Sequence, residues 1–458
     1  MPSKPHAPTP HEAVHAFDQW SSRRGFILAA IGAAVGVGNI WRFSYVAGEN
    51  GGAAFLLVYV ACVILVGLPL VIGELAVGRN THGDALLSVR AVSDRPIWLS
   101  AGALGIFGSF LLLSFYLVIA GWALKYLAGS LTGELWRLAG HQYGGYFADF
   151  IADPVQPAFW QLVMAALSAA IVACGIRVGV ERVNGILMPL LAAIIVALAI
   201  FALTLDGASR GLAFLFSPRW EALASPELYV AAMGQAFFSV GLGMALYLTY
   251  GSYLPRGQKI PGMAAAVVAG DTAVAILAGI AIFPAVFTYG LDPASGPQLV
   301  FITLPQIFRA MPAGEIVAVA FFFLLSAAAL TSAVSLVEVI GAWVRRRFHL
   351  TRPAATLVVV AIVYVCGLPS ALGYGLWREV QWNGRGILES VDFMVSNVVL
   401  PVSGLMTALL VGWAWRSSSA LREADFNDTA LGRAWLFALR WVTPALIAIV
   451  LARGFGTE

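Results

Sequence analysis

The sequence predicts an all-α polytopic membrane protein of about eleven spans, ten of them arranged as two repeats of five with the first and sixth spans interrupted. Three observations predict it. Hydrophobic residues make up 60% of the 458-residue chain and charged residues only 11%, and mean hydropathy is +0.84, which leaves too little polar surface for a soluble domain of this length. Apolar runs long enough to cross a bilayer recur along the whole chain. Two of those runs, five spans apart, are broken by glycines that lie beside polar residues.

Taken in order, residues 1–19, rich in Pro and His, read as a disordered cytoplasmic tail with no removable signal peptide. Span one (26–45) contains "AAIGAAVGVGNIWRF", in which Gly32, Gly36 and Gly38 precede a polar Asn39 and a cation, Arg42. Span two (53–78) carries Glu74 in an otherwise apolar run, and spans three (99–127) and four (158–175) are uninterrupted. Span five (183–204) opens with "GVERVNGILMP", which sets Gly179 and Pro189 at its start. A helix-interior proline lacks a donor and weakens the ladder, so this is a static kink or an unwinding point. Span six (228–254) holds "FFSVGLGMALYLTYGSY", interrupted at Gly241 and Gly243. Span seven (266–288) contains Asp271, span eight (312–343) "ALTSAVS" and Glu338, and span ten (386–414) Asp392. Spans nine (354–371) and eleven (434–454) complete the count, with Arg440 inside the last. The loop at 289–311 is apolar enough to fold as short helices over a vestibule. The expected organisation is a core over 20–415, with repeats at about 20–205 and 225–415, followed by an eleventh helix and C-terminus at 416–458.

Most of the 27 Lys and Arg residues fall on one set of loops, among them Arg23, Arg24, Arg79, Arg177, Arg256 and Arg345 to Arg347. The positive-inside bias puts the N-terminus in the cytoplasm of a plasma (inner) membrane, and an odd span count puts the C-terminus outside. The net charge of +3, spread over loops, argues against a nucleic-acid partner. Cys62, Cys174 and Cys366 have no metal-ligand spacing and read as packing residues. The six His lie in tails or loops without a nucleophile–base arrangement, so the chain is not read as an enzyme.

A broken helix at mid-membrane exposes carbonyls and amides that are tolerated only where they line a cavity or bind something. Carbonyl oxygens suit Na⁺, and half-helix N-termini attract a carboxylate. One glycine run alone equally fits close helix packing. Two at matching places in two halves point to a transporter binding site. Glu74, Asp271, Glu338 and Asp392 sharpen the case, because an ionisable residue inside a span is expensive unless paired or functional. The hydroxyls of Thr331 and Ser332 fit either a binding role or bonding back to their own helix.

"WSSRRGFILAAIGAAVGVGNIWRFSYVAGENGGAAFLLVYV", "SFYLVIAGW", "GQAFFSVGLG" and "ALTS" together resemble the neurotransmitter:sodium symporter family, from about Trp20 to the end. The resemblance implies an inverted 5+5 repeat, alternating access, and two sodium ions carried with an amino acid. One ion would take the carbonyls of Gly32, Val35 and Ala328 and the hydroxyls of Thr331 and Ser332. The other would take the Ala34 carbonyl, Asn39, Ser239 and Asp271, completed by the substrate carboxylate. Chloride-dependent members have an amide at the place of Asp271 and a serine one turn on, where this chain has Ala275. Tyr59 and Gln235 of the usual anion site remain. A fixed carboxylate can supply the charge that chloride supplies elsewhere, so no chloride requirement is expected, with Asp271 open to protonation on the return step.

By the same matching the substrate lies among Ala34, Gly36, Gly38, Leu112, Tyr116, Phe238, Ser239, Gly241, Met244, Ser332 and Leu336. The uncharged side-chain end suits a neutral hydrophobic L-amino acid, with room for aromatic ones, although Ala245 departs from the more usual glycine and narrows that room. Arg42 and Asp392 match the outer gate, with Phe238 as a lid. At the inner side Asp18, before Trp20, either pairs with Arg345 or Arg346, or those arginines form a solvated basic loop. Gly179 and Pro189 match the family's helix-five hinge. A proton-coupled transporter of the same fold and a non-transporting amino-acid sensor are the alternatives. The partners implied are an amino acid and the lipid bilayer.

Overall fold

The computed structural model describes residues 19–139, 142–293 and 299–454. Among these the chain is almost wholly helical, and the one pairing of extended residues is a bridge between Trp382 and Arg385. Among the described residues nine helices are long and apolar enough to cross a bilayer: Ala53–Thr81, Pro96–Leu131, Gln156–Ala173, Ile176–Ala202, Ile260–Thr288, Gly314–Phe348, Arg352–Leu372, Ile387–Ala414 and Ala430–Ala452. The pair Arg23–Ala34 and Gly38–Glu49, bent by 53°, supplies the first span. Pro226–Val240 and Leu246–Ser252 supply the sixth. The interrupted spans thus stand first in each half of an inverted five-plus-five repeat.

Each break has a local cause. In span one, Val35 leaves the helix at φ −70°, ψ 101°, and the helix restarts at Gly38. In span six, Gly241 (φ 78°), Gly243 (φ 69°) and Ala245 (φ 54°) adopt left-handed backbone. Glycine does so at no steric cost, whereas alanine pays roughly 1–2 kcal/mol. Ala245 is accommodated by a glycine opposite: a methyl on Gly105 of span three would lie 2.8 Å from the Ala245 Cβ. Ser109, one turn on, donates from Oγ to the Met244 carbonyl at 2.5 Å. The carboxylate of Glu74, fully buried, accepts the Gly243 N–H at 3.1 Å, so the acid in span two satisfies open backbone in span six.

Span eight packs most extensively on span three and also against spans one, four, five and nine. Span one lies between spans five, seven and eight, which puts both breaks at the centre of the bundle. Outward-facing Ile64, Leu65, Phe107, Ile186, Ile200, Ile362 and Val365 form an apolar exterior suited to lipid chains.

Two expectations are corrected, and the loops gain detail. Span five begins at Ile176 rather than 183, on a wide π turn through Glu181, so Gly179 lies inside the helix, as Pro189 does. The polar residues that disguised this turn, Arg177 and Glu181, find partners on the chain entering span one. Of the cysteines only Cys62 is buried; Cys174 and Cys366 face out of the bundle. The loop at 289–311 does fold in part as a helix, Leu299–Ala310. The stretch between spans three and four also holds a helix, Tyr143–Ala152. Arg440 sits at the junction with span ten, donating from Nε to the Gly412 carbonyl at 2.6 Å and from Nη2 to Ser417 Oγ at 2.7 Å.

Candidate substrate and ion site

Because the two breaks meet, backbone polar groups from span one face side chains from spans three, six, seven and eight. Between them lies a small cavity. It is lined by Ala34, Gly36 and Gly38, by Leu112 and Tyr116, by Phe238, Gly241 and Met244, and by Ser332 and Leu336. No lining side chain is charged. Ala33, Leu246 and Ser335 line it as well; sequence reading missed them, though Ser335 lies one helical turn from Ser332 and Leu246 is the first helical residue after the break. Ser239 is expected in this lining, but it sits behind the cavity with Asp271.

The Tyr116 hydroxyl accepts the Val37 N–H at 3.2 Å, tying span three to the opened backbone. Gly36 is required by closeness: a methyl there would lie 2.6 Å from Ser332 Oγ and 2.7 Å from Tyr116 Oη. A methyl on Gly38 would lie 2.5 Å from the Phe238 ring.

Two oxygen clusters flank the cavity. On one side Ser332 Oγ lies 3.3 Å from the Val35 carbonyl and 3.5 Å from that of Gly32. Thr331 Oγ1 donates to the Ala328 carbonyl at 2.9 Å. Thr331 therefore bonds back to its own helix, while Ser332 reaches across to span one. All five oxygens are neutral. On the other side Asn39 Oδ1 accepts the Gly36 N–H at 3.0 Å. Its Nδ2 donates to Asp271 Oδ1 at 2.6 Å and Ser239 Oγ at 3.0 Å. Ser239 Oγ donates to Asp271 Oδ2 at 2.8 Å, and the Tyr59 hydroxyl lies 3.4 Å from the same oxygen. Asn39, Ser239 and Asp271 are each fully or almost fully buried. A buried carboxylate inside a span is expensive unless it is hydrogen-bonded or functional, and here three donors surround it.

Arg42 and Asp392, expected as a gate pair, do not form a simple ion pair. Arg42 Nη1 donates to Gln235 Oε1 at 2.9 Å, and its guanidinium lies 5.0 Å from the Phe238 ring centroid. Asp392 instead accepts from Ser396 Oγ at 2.9 Å. The reason is proximity: Gln235 is one turn from Phe238 on span six, and its Nε2 also holds the Gly38 carbonyl at 3.0 Å. At the opposite end Trp20 is buried against Tyr250 and Tyr253, with its Nε1 on the Tyr250 carbonyl at 3.0 Å. Asp18 lies outside the described residues. Arg346 pairs with Asp84 at 2.8 Å, and Glu338 pairs with Arg352 at 2.6 Å. Glu181, which sequence reading did not single out, takes the Ser21 N–H at 2.9 Å together with the Ser21 and Ser22 hydroxyls.

The chain matches the model of the "Sodium:neurotransmitter symporter family" over residues 17–146 and 151–456. It is 40% identical to the "Uncharacterized sodium-dependent transporter YhdH" of Bacillus subtilis, over 96% of this chain and 98% of that one. It is 30% identical to an "Uncharacterized sodium-dependent transporter" of Haemophilus influenzae, over 94% and 96%. Its fold superposes on the crystal structure of MhsT in complex with L-phenylalanine with a TM-score of 0.91 at 50% identity, covering 96% of this chain and all of that one. With two broken helices meeting at a cavity between oxygen clusters, and these likenesses along nearly the whole chain, the protein belongs to the sodium:neurotransmitter symporter family and is a sodium-dependent, multi-pass membrane transporter.

Proposed function

We propose that the protein carries a neutral, hydrophobic L-amino acid, aromatic ones included, together with two sodium ions, and does so without chloride. The observation that carries this reading is the uncharged cavity between one neutral and one acidic oxygen cluster. A cationic or acidic side chain would sit there unpaired, at a cost of several kcal/mol. A hydrophobic one gains about 25 cal/mol per Å² buried. The amino-acid carboxylate faces the open backbone of span one and the Tyr116 hydroxyl. Near Ala34 it also completes the shell of the ion held by Asn39, Ser239 and Asp271. That shared ligand couples the two solutes, since each raises the affinity for the other by the same factor. The second ion takes Gly32, Val35, Ala328, Thr331 and Ser332, a set without a carboxylate that lets it go readily. The crystallised L-phenylalanine complex of the 50%-identical MhsT supports a hydrophobic substrate.

Chloride independence is supported by two features. Asp271 already supplies a negative charge beside Ser239 and Tyr59, and Gln235 is committed to Arg42 and Gly38 rather than to that cluster. Protonation of Asp271 would neutralise the site on the return step. Arg42, Gln235 and Phe238 form the outer closure, with Asp392 as the carboxylate that Arg42 meets when the vestibule rearranges. Trp20 and the residues around it form the inner one, towards the cytoplasm of a plasma membrane.

Uptake of radiolabelled L-phenylalanine and L-leucine into proteoliposomes tests the reading, with Na⁺ replaced by K⁺ or choline and Cl⁻ by gluconate. Uptake should require Na⁺ and ignore gluconate. Uptake driven by a proton gradient without Na⁺ would replace the reading with a proton-coupled carrier, and binding without uptake with a sensor.

A further inference from the structure

Arg440 lies inside the last span, and no role above uses it. It sits where two wide turns oppose each other, Leu410–Ala414 closing span ten and Ala438–Val442 in span eleven. Gly412 lets the two backbones approach: a methyl there would lie 3.0 Å from Arg440 Cγ and 3.0 Å from the Leu439 carbonyl oxygen. Arg440 gives its Nε to the Gly412 carbonyl and its Nη2 to Ser417 Oγ, both neutral oxygens. Closing the end of span ten in this way leaves the Nη1 donors and the net charge unanswered. A cation inside a span is expensive unless it is paired or functional. Among the described residues Arg440 forms no ion pair, and neither does Arg416, which is exposed and precedes Ser417 in the chain. The acids of the connecting loop are committed elsewhere, Glu423 and Asp425 to Arg79 and Asp428 to Arg433. Two indole rings flank the same place. Trp413 and Trp441 are each about half exposed, and they meet edge to face at 4.8 Å between ring centroids. Trp413 Nε1 donates to the Arg440 carbonyl at 3.2 Å, which fixes that ring beside the arginine. Tryptophans that face outward at the end of a span favour the zone where acyl chains meet headgroups.

From this arrangement we infer that Arg440, Arg416 and the Trp413–Trp441 pair bind one anionic phospholipid, in the leaflet on the side of the loop joining spans ten and eleven. The positive-inside bias makes that leaflet the cytoplasmic one. The phosphodiester takes the donors that Arg440 and Arg416 leave free, since a guanidinium fork matches phosphate oxygens. The acyl chains lie against the two indoles. Charge selects the headgroup: a zwitterionic lipid would bring an ammonium beside two arginines, and no acid of the loop is left to receive it. A bound anionic lipid neutralises the cation inside span eleven and holds the ends of spans ten and eleven together. Free phosphate shares the recognising chemistry but lacks the chains that the two rings hold.

The test is native mass spectrometry of the full-length protein, delipidated in detergent and titrated with dioleoyl phosphatidylglycerol or dioleoyl phosphatidylcholine, with sodium phosphate as competitor. Wild-type protein should retain one phosphatidylglycerol about tenfold or more tightly than phosphatidylcholine, and sodium phosphate should not displace it. Arg440→Gln keeps a donor for the Gly412 carbonyl without the charge, and Arg416→Gln alters an exposed side chain. Each should weaken phosphatidylglycerol about fivefold and leave phosphatidylcholine within about twofold. Arg95→Gln, at an exposed arginine on the same side of the membrane, should change neither lipid. Should Arg440→Gln fail to fold, Arg416→Gln carries the same test. Equal wild-type affinity for the two lipids would overturn the site, as would losses in Arg440→Gln and Arg416→Gln no larger than in Arg95→Gln. Displacement of phosphatidylglycerol by sodium phosphate would overturn the lipid as its occupant.

Discussion

Replacing Asp271 by asparagine separates the acidic oxygen cluster from every other part of the site. Three donors converge on this one carboxylate: Asn39 Nδ2 at 2.6 Å, Ser239 Oγ at 2.8 Å and the Tyr59 hydroxyl at 3.4 Å. Asparagine occupies the same volume but turns one acceptor into a donor, so at least one of the three faces another N–H. The fixed charge is lost as well. A hydrogen bond to a charged group is worth about 1.5–3 kcal/mol, which corresponds to a rise of roughly 10- to 150-fold in the sodium concentration giving half-maximal uptake. If the carboxylate stands in for chloride, adding chloride back should recover part of that loss in the variant and none in the wild type. The assay is sodium-dependent uptake in proteoliposomes at graded Na⁺, in chloride and in gluconate. Uptake by Asp271→Asn with unchanged sodium dependence in either anion would refute the reasoning.

Gly36→Ala drives a methyl into both Ser332 and Tyr116; overpacking of about 1–3 kcal/mol should cut amino-acid affinity roughly 5- to 150-fold in equilibrium binding, with the protein still folded. Tyr116→Phe strips the acceptor from the Val37 N–H. An unpaired buried donor costs about 1–3 kcal/mol, so KM for the amino acid should rise about tenfold or more in uptake assays. Glu74→Leu leaves the Gly243 N–H without its acceptor at mid-membrane and should lower the melting temperature of purified protein, whereas Glu74→Gln, which keeps an oxygen there, should stay near wild type.

The spans and their breaks were legible because hydropathy and glycine placement are local properties. Gly32 to Arg42 and Gly241 to Gly243 announced the two interruptions without tertiary information. The start of span five was not legible: "GIRVGVE" carries two glycines and two charges, which a hydropathy reading takes for loop. Contact with Ser21 and Ser22 satisfies the buried Glu181, while Arg177 stays exposed and holds the Gln19 carbonyl. The family resemblance likewise paired Arg42 with Asp392. The structure gives Arg42 a neutral amide instead, because Gln235 lies one turn from the ring that Arg42 covers. The cavity walls were readable where they matched motif residues and missed at Ala33, Leu246 and Ser335, which carry no distinctive chemistry.

The contact between Ala245 and Gly105 has a consequence for how the sequence can change. A methyl on Gly105 would meet the Cβ and the backbone nitrogen of Ala245, each at 2.8 Å. An alanine at 245 is therefore tolerable only opposite a glycine, while position 105 excludes a side chain whatever stands at 245. Gly105→Ala should be harmful and only slightly relieved by Ala245→Gly, because the backbone nitrogen stays in the way, although the two residues belong to different helices and neither is charged. Through Ser109 and the Met244 carbonyl, that dependence reaches the wall of the cavity, so the close approach of two backbones in one place limits which changes in either span remain open.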